Sequence, residues 1–276
     1  MGAIMKLRAI DPKVVYLLLF IVLAVPLIRP IGLPIEVSMY AQRFYNQVEA
    51  LKPGALVFYS LSFTVAKTVE FYPQMVAVTQ HLVAKKARIV YASWLVDNPP
   101  LVEKLFTDLS FEKRGLKYGT DYVHLGFIPG VATGMASFAR DVHKTVGADY
   151  GGKPVGDLPL MAEAKKAQDF VLLVGFLSIN FDQFVGQIQT PYKLPLVVGT
   201  DGVSFAGMLP YLSAGQVMGI LNSMIGAAEY EALIRVTGKG TGYMDAQQMS
   251  HFLIIALVIV GNVAMIMQRG SRRESR

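Results

Sequence analysis

Cysteine is absent from all 276 residues, which excludes disulfides, thiol nucleophiles and thiolate metal sites and leaves the compartment open. Phosphate-cradling glycine loops are missing too. After the first predicted strand the chain reads Ser60-Leu-Ser-Phe-Thr64, without the Gly-x-Gly-x-x-Gly that lets a backbone approach a pyrophosphate, and there is no Walker A stretch. The four histidines, His81, His124, His143 and His251, form no His-Glu-x-x-His pattern and sit beside no tight carboxylate cluster. No metal and no organic cofactor is therefore expected. The Gly-x-Ser-x-Gly elbow of α/β hydrolases is missing as well. Net charge is lacking in the middle of the chain: residues 35–250 carry 18 Lys+Arg against 18 Asp+Glu. The formal +6 lies wholly in the ends, in Lys6, Arg8, Lys13, Arg29, Arg269, Arg272, Arg273 and Arg276, less Asp11 and Glu274. A neutral centre with basic ends argues against nucleic-acid binding and for positive-inside anchoring in a membrane.

Two long apolar runs are present. The stretch from Phe252 to Met267 is interrupted only by Gly261 and Asn262; it is widened to 249–268 as a span and is followed at once by arginines. It reads as a transmembrane helix with a basic stop. Its counterpart, Val14 to Ile28, is short for a span; extended to 14–35, with Arg29 snorkelling to the interface, it supplies the length. Ala24-Val25-Pro26 does not make a small-x-small cleavage site, so a retained anchor is expected rather than a signal peptide. The organisation expected is a cytoplasmic basic tail (1–13), a first transmembrane helix (14–35), an extracytoplasmic domain (36–248), a second transmembrane helix (249–268) and a cytoplasmic basic tail (269–276).

Within 36–248, apolar β-rich runs alternate with helical patterns. After a helix over Val37–Leu51, strands are predicted at Ala55–Ser60, Arg88–Ala92, Tyr122–Leu125, Phe170–Gly175 and Pro195–Gly199, and a last helix over Gly207–Val236. Strands alternating with helices imply parallel βαβ units, and strands without polar alternation imply a sheet covered on both faces. The expectation is one α/β domain, Rossmann-like or flavodoxin-like, with about five parallel strands between two transmembrane helices. In such a fold the ligand crevice lies at the carboxyl ends of the strands. That rule selects Ser60, Ser62, Asp97, Asn98, Asn180 and Asp201 as candidates for holding a small polar ligand. Ser, Asp and Asn also favour strand-to-helix junctions simply as helix caps. A serine hydrolase would combine Ser60 or Ser62 with His124 and Asp97. Gly215-x-x-x-Gly219 and Gly226 in the last helical stretch are candidates for close packing between subunits.

From Leu194 to Met224 the residues Pro195-Leu-Val-Val-Gly-Thr-Asp201, then Leu209 through Ser213-Ala-Gly215-Gln-Val217, resemble the end of a type I periplasmic sugar-binding domain. The resemblance covers about thirty residues. It implies a strand ending in an aspartate, a short helix and a turn, and it matches Asp201 to the carboxylate that contacts ligand hydroxyls. That family has two lobes, and this chain has length for one. The functional expectation from the whole sequence is a structural or accessory component of an oligomeric or multi-subunit membrane assembly. A ligand-binding sensor or transport accessory is the second reading and a membrane-bound serine-type hydrolase the third.

Overall fold

The computed structural model describes residues 11–274, and from residue 267 onward the backbone alone. Lys6, Arg8 and Arg276 of the basic tails lie outside the described residues. The chain divides into two units: residues 35–236, and the terminal segments through residue 34 and from Thr237.

The larger unit is a sheet with helices on both faces. Helix α1 (Pro12–Ile28) belongs to the other unit, and α2 is Met39–Glu49. Strand β1 (Leu56–Ser62) leads to α3 (Thr68–Ala84), β2 (Arg88–Ser93), α4 (Pro99–Asp108) and β3 (Tyr122–Phe127). Helix α5 (Val131–Arg140) and a long irregular connection precede β4 (Leu172–Leu177). Then come β5 (Leu196–Thr200), α6 (Phe205–Ser213), β6 (Gly219–Asn222) and α7 (Ser223–Leu233). All strand pairs are parallel, and the order is β3-β2-β1-β4-β5-β6. This is the strand order of Rossmann-like folds, and it reverses direction between β1 and β4.

Why the strands read as unbroken apolar runs is plain from their two faces. Phe58, Val90, Leu173 and Val198 point into one core, with Phe138 of α5 and Met208 of α6. Their neighbours Val57, Tyr59, Tyr91 and Val174 point into the other, with Phe44 of α2, Met75 of α3 and Tyr230 of α7. Each fully buried side chain of this size contributes about 1.5–3 kcal/mol relative to exposure.

The sixth strand corrects the sequence reading. Gly207–Val236 is not one helix: α6 ends at Ser213, Gly215 takes φ +72°, and Gly219–Asn222 adds to the sheet edge beside β5. A four-residue apolar run has no period that separates strand from helix. Gly215 and Gly219 therefore do not share a helix face. Gly219 lies where α2 crosses β6, and a Cβ there would overlap the Phe44 backbone; a Cβ on Gly226 of α7 would press on Leu221. Both glycines serve packing inside the domain.

The smaller unit pairs α1 with α8 (Lys239–Glu274). The helix begins ten residues earlier than the predicted span, so residues 239–248 form its first turns rather than the end of the domain. Asp245, buried on α8, accepts from the backbone N–H groups of Ile31, Gly32 and Leu33 at 2.7, 2.9 and 2.9 Å. Gly242 lets the Pro26 carbonyl and the Pro30 ring approach. These contacts join the C-terminal end of α1 to the N-terminal end of α8, so the helices are antiparallel. One described helix, α8, is long and apolar enough to cross a bilayer by length and composition. Helix α1 has 17 residues, a length of about 25 Å.

The Gly219 contact has a measurable consequence. Gly219→Ala forces α2 away from the sheet edge and is expected to lower stability by about 2 kcal/mol, read as a drop in the thermal unfolding midpoint. An unchanged midpoint would contradict the packing described.

Candidate functional site

The reversal of strand order opens the space beyond the carboxyl ends of β1 and β4, where a ligand of this fold class binds. Here the chain fills it with its own groups. The turn after β4 folds back on β1: Ser178 N and Ile179 N donate to the Ser62 carbonyl at 2.9 and 3.3 Å. Asn180, left-handed at φ +60°, donates through Nδ2 to Ser62 Oγ at 3.2 Å. Lys67, in the first turn before α3, reaches across with Nζ 2.9 Å from Ser178 Oγ and 2.9 Å from Asp201 Oδ1.

Asp201 follows β5 and has no exposed surface. Its Oδ1 also accepts from Val203 N and Ser204 N, both at 3.1 Å, and its Oδ2 from Ser204 Oγ at 3.0 Å. Burial raises the Asp201 carboxyl, but the hydrogen bonds from Lys67, Ser178 and Ser204 outweigh it and hold the group below its ordinary value. The carboxylate is charged, paired and saturated with donors from its own chain. At the start of α3, where the helix dipole favours an anion, a lysine instead carries its charge to a buried carboxylate.

The remaining candidates divide by burial. Ser60 is buried and accepts from Trp94 Nε1 at 2.8 Å. Asn98, also buried, brackets the Phe63 peptide, donating to its carbonyl at 2.8 Å and accepting from its N–H at 3.4 Å. Asp97 is exposed on the turn after β2. The structure thus brings Ser62, Asn180 and Asp201 together and leaves Ser60, Asp97 and Asn98 outside that group. The Ser–His combination does not assemble either. His124 Nδ1 donates to Glu103 Oε1 at 2.8 Å, its ring lies against Tyr150 with centroids 4.6 Å apart, and its Nε2 is buried with no partner among the described residues. Burial lowers the His124 pKa against the raising pull of Glu103.

Three residues that organise the strand ends carried no sequence signal. Lys67 is one. Glu70 and Gln74, farther along α3, are the others. Glu70 Oε2 accepts from Gly202 N at 3.0 Å and from Ser223 Oγ at 2.5 Å. Gln74 Nε2, buried, lies within 2.9–3.0 Å of the carbonyls of Glu70, Thr200 and Ser223. Ser223 itself, the first residue of α7, is held at φ +51°. A lysine, a glutamate and a glutamine in a helix read as surface residues until the fold shows what they face.

No protein-family model matches the chain, and a comparison with curated proteins finds no match either.

The Lys67–Asp201 pair sets a pH dependence whose sign is fixed. A carboxylate with a depressed folded pKa contributes stability above its unfolded pKa, and that contribution is lost as pH falls through the folded value. Asp201→Asn should therefore reduce stability by about 1–3 kcal/mol at pH 7, and the gap between it and the parent chain should close as pH drops below about 4. Denaturant titrations across pH measure this. A gap that does not change with pH would contradict the assignment.

Proposed function

We propose that this chain is a membrane-anchored structural or accessory component of an oligomeric or multi-subunit assembly, carrying a Rossmann-like domain outside the cytoplasm. The observation that carries the reading is the self-filled crevice: the charge and hydrogen-bonding capacity that this fold class offers to a ligand are here spent on its own Lys67, Asp201, Ser178 and Ser204. What such a domain retains is its surface, and a surface serves partners.

The membrane half of the proposal rests on apolar exposure. On α1, Tyr16, Leu17, Phe20 and Ile28 are 59–85% exposed, and on α8, Phe252, Val258, Ile259 and Ile266 are 56–69% exposed. Two paired helices with apolar side chains facing outward are matched by lipid rather than water. In this reading both helices cross the bilayer; α1 ends at Ile28, short of the 14–35 span expected, and the residues after it fold onto Asp245 of α8. The antiparallel pairing supports one orientation. It points the start of α1 and the end of α8 the same way, and the sequence carries its excess basic residues at those two ends of the chain, the arrangement expected for a cytoplasmic side.

A small-molecule sensor or transport accessory is the second reading, and one observation favours it. The Lys67 side chain is 30% exposed, so a polar ligand has a route to displace its ammonium from Asp201. The resemblance around Asp201 to a sugar-binding domain points the same way.

Two measurements separate these readings. Alkaline carbonate is expected to leave the full chain in the membrane pellet, and protease added from the cytoplasmic side to spare residues 36–236; release by carbonate would sink the anchored reading. A panel of sugars, amino acids and organic acids is expected to leave the thermal midpoint of the detergent-purified chain unmoved. A rise of several degrees with one compound, lost in Asp201→Ala, would make the sensor reading primary.

A further inference from the structure

We propose that α8 is a self-association helix, and that two copies of this chain pair in the bilayer along a stripe centred on Asn262. The proposal rests on the membrane reading above. Successive residues of an α-helix advance by about 100°, so Ile255, Ile259, Asn262 and Ile266, spaced four, three and four apart, lie on one side of α8 within about 60° of each other. This is the spacing of a heptad seam, with an asparagine at one of its apolar positions. Past His251 the half-buried residues of the same helix, Leu253, Leu257 and Ala264, fall on the opposite side, about 180° away, in line with Gly242, which α1 meets. The stripe is open: Ile255, Ile259 and Ile266 are 54%, 57% and 69% exposed.

Asn262 decides what covers it. The side chain is exposed, and its Nδ2 donates to the Val258 carbonyl one turn earlier at 2.9 Å. That bond uses one of two amide hydrogens, and among the described residues nothing donates to Oδ1. In hydrocarbon neither group has water to turn to. An asparagine amide offers one acceptor and one spare donor, so it is complementary to an identical amide approaching from a two-fold-related copy. An apolar partner helix leaves both groups unmet, and a charged one adds a buried charge.

The absence of cysteine makes the test clean. Single cysteines are introduced at Ile259→Cys, Ile266→Cys and, on the side facing α1, Leu257→Cys, in the full chain reconstituted into phosphatidylcholine vesicles and treated with a mild oxidant. Disulfide-linked dimers are expected at 259 and 266 and not at 257. Adding Asn262→Leu to Ile259→Cys, a change that keeps the helix apolar and membrane-inserted, should weaken association about tenfold, read as the lipid dilution at which cross-linking falls to half. Asn262→Gln should preserve most of it. Equal cross-linking from both sides, or no change with Asn262→Leu, overturns the proposal. Carbonate extraction of the same vesicles keeps the two readings apart. Chain that stays in the bilayer without cross-linking refutes only the pairing, whereas chain that is released refutes the membrane reading beneath it.

Discussion

A carboxylate withdrawn from water has to be met by charge and by donors, and Asp201 is withdrawn completely. The way the chain meets it ties three parts of the fold together. Lys67 comes from the start of α3, Ser178 from the turn after β4, and Ser204 with the Val203 and Ser204 amides from the turn after β5. These segments flank the point where the strand order reverses, the place at which a doubly wound sheet is open by construction. Here the opening is closed by an internal ion pair. Breaking it strands a buried charge, so the geometry of the strand ends and the stability of the domain depend on the same contacts. Gln74 and Glu70 extend the arrangement toward β6, holding the left-handed Ser223 where the chain turns into α7.

The terminal helices obey a different constraint. A soluble domain turns its large apolar side chains inward, as the two faces of this sheet do; α1 and α8 turn theirs outward while burying Asp245. A polar contact inside and an apolar surface outside is the distribution that a bilayer rewards. In the proposed membrane reading, Asn262 is a polar group on that apolar surface, where a bilayer leaves its amide without water.

Much of the architecture was legible in the sequence because the signals were local. Unbroken apolar strands, alternating with helical periods, gave a parallel sheet with both faces covered, and the strand-end rule picked out Ser62, Asn180 and Asp201, which do come together. The sixth strand escaped because Gly219–Asn222 is too short to show a period and sits between two helices with which it blends. Ser60 and Asn98 show a different limit: position along the chain marks a strand end, but only the fold reveals that Ser60 bonds Trp94 and Asn98 the Phe63 peptide. Lys67, Glu70 and Gln74 were illegible because their partners are remote in sequence, and charged or amide side chains in a helix are exposed far more often than not. The strand order that makes the space between β1 and β4 the one that matters was likewise beyond any local pattern.

The most direct measurement of the central claim is native mass spectrometry of the full chain released from lipid nanodiscs, which reports stoichiometry and retained small molecules together. An oligomer or a complex with other subunits, carrying nothing in its crevice beyond its own Lys67 and Asp201, is the result this account predicts. A single chain holding a stoichiometric small molecule would contradict it.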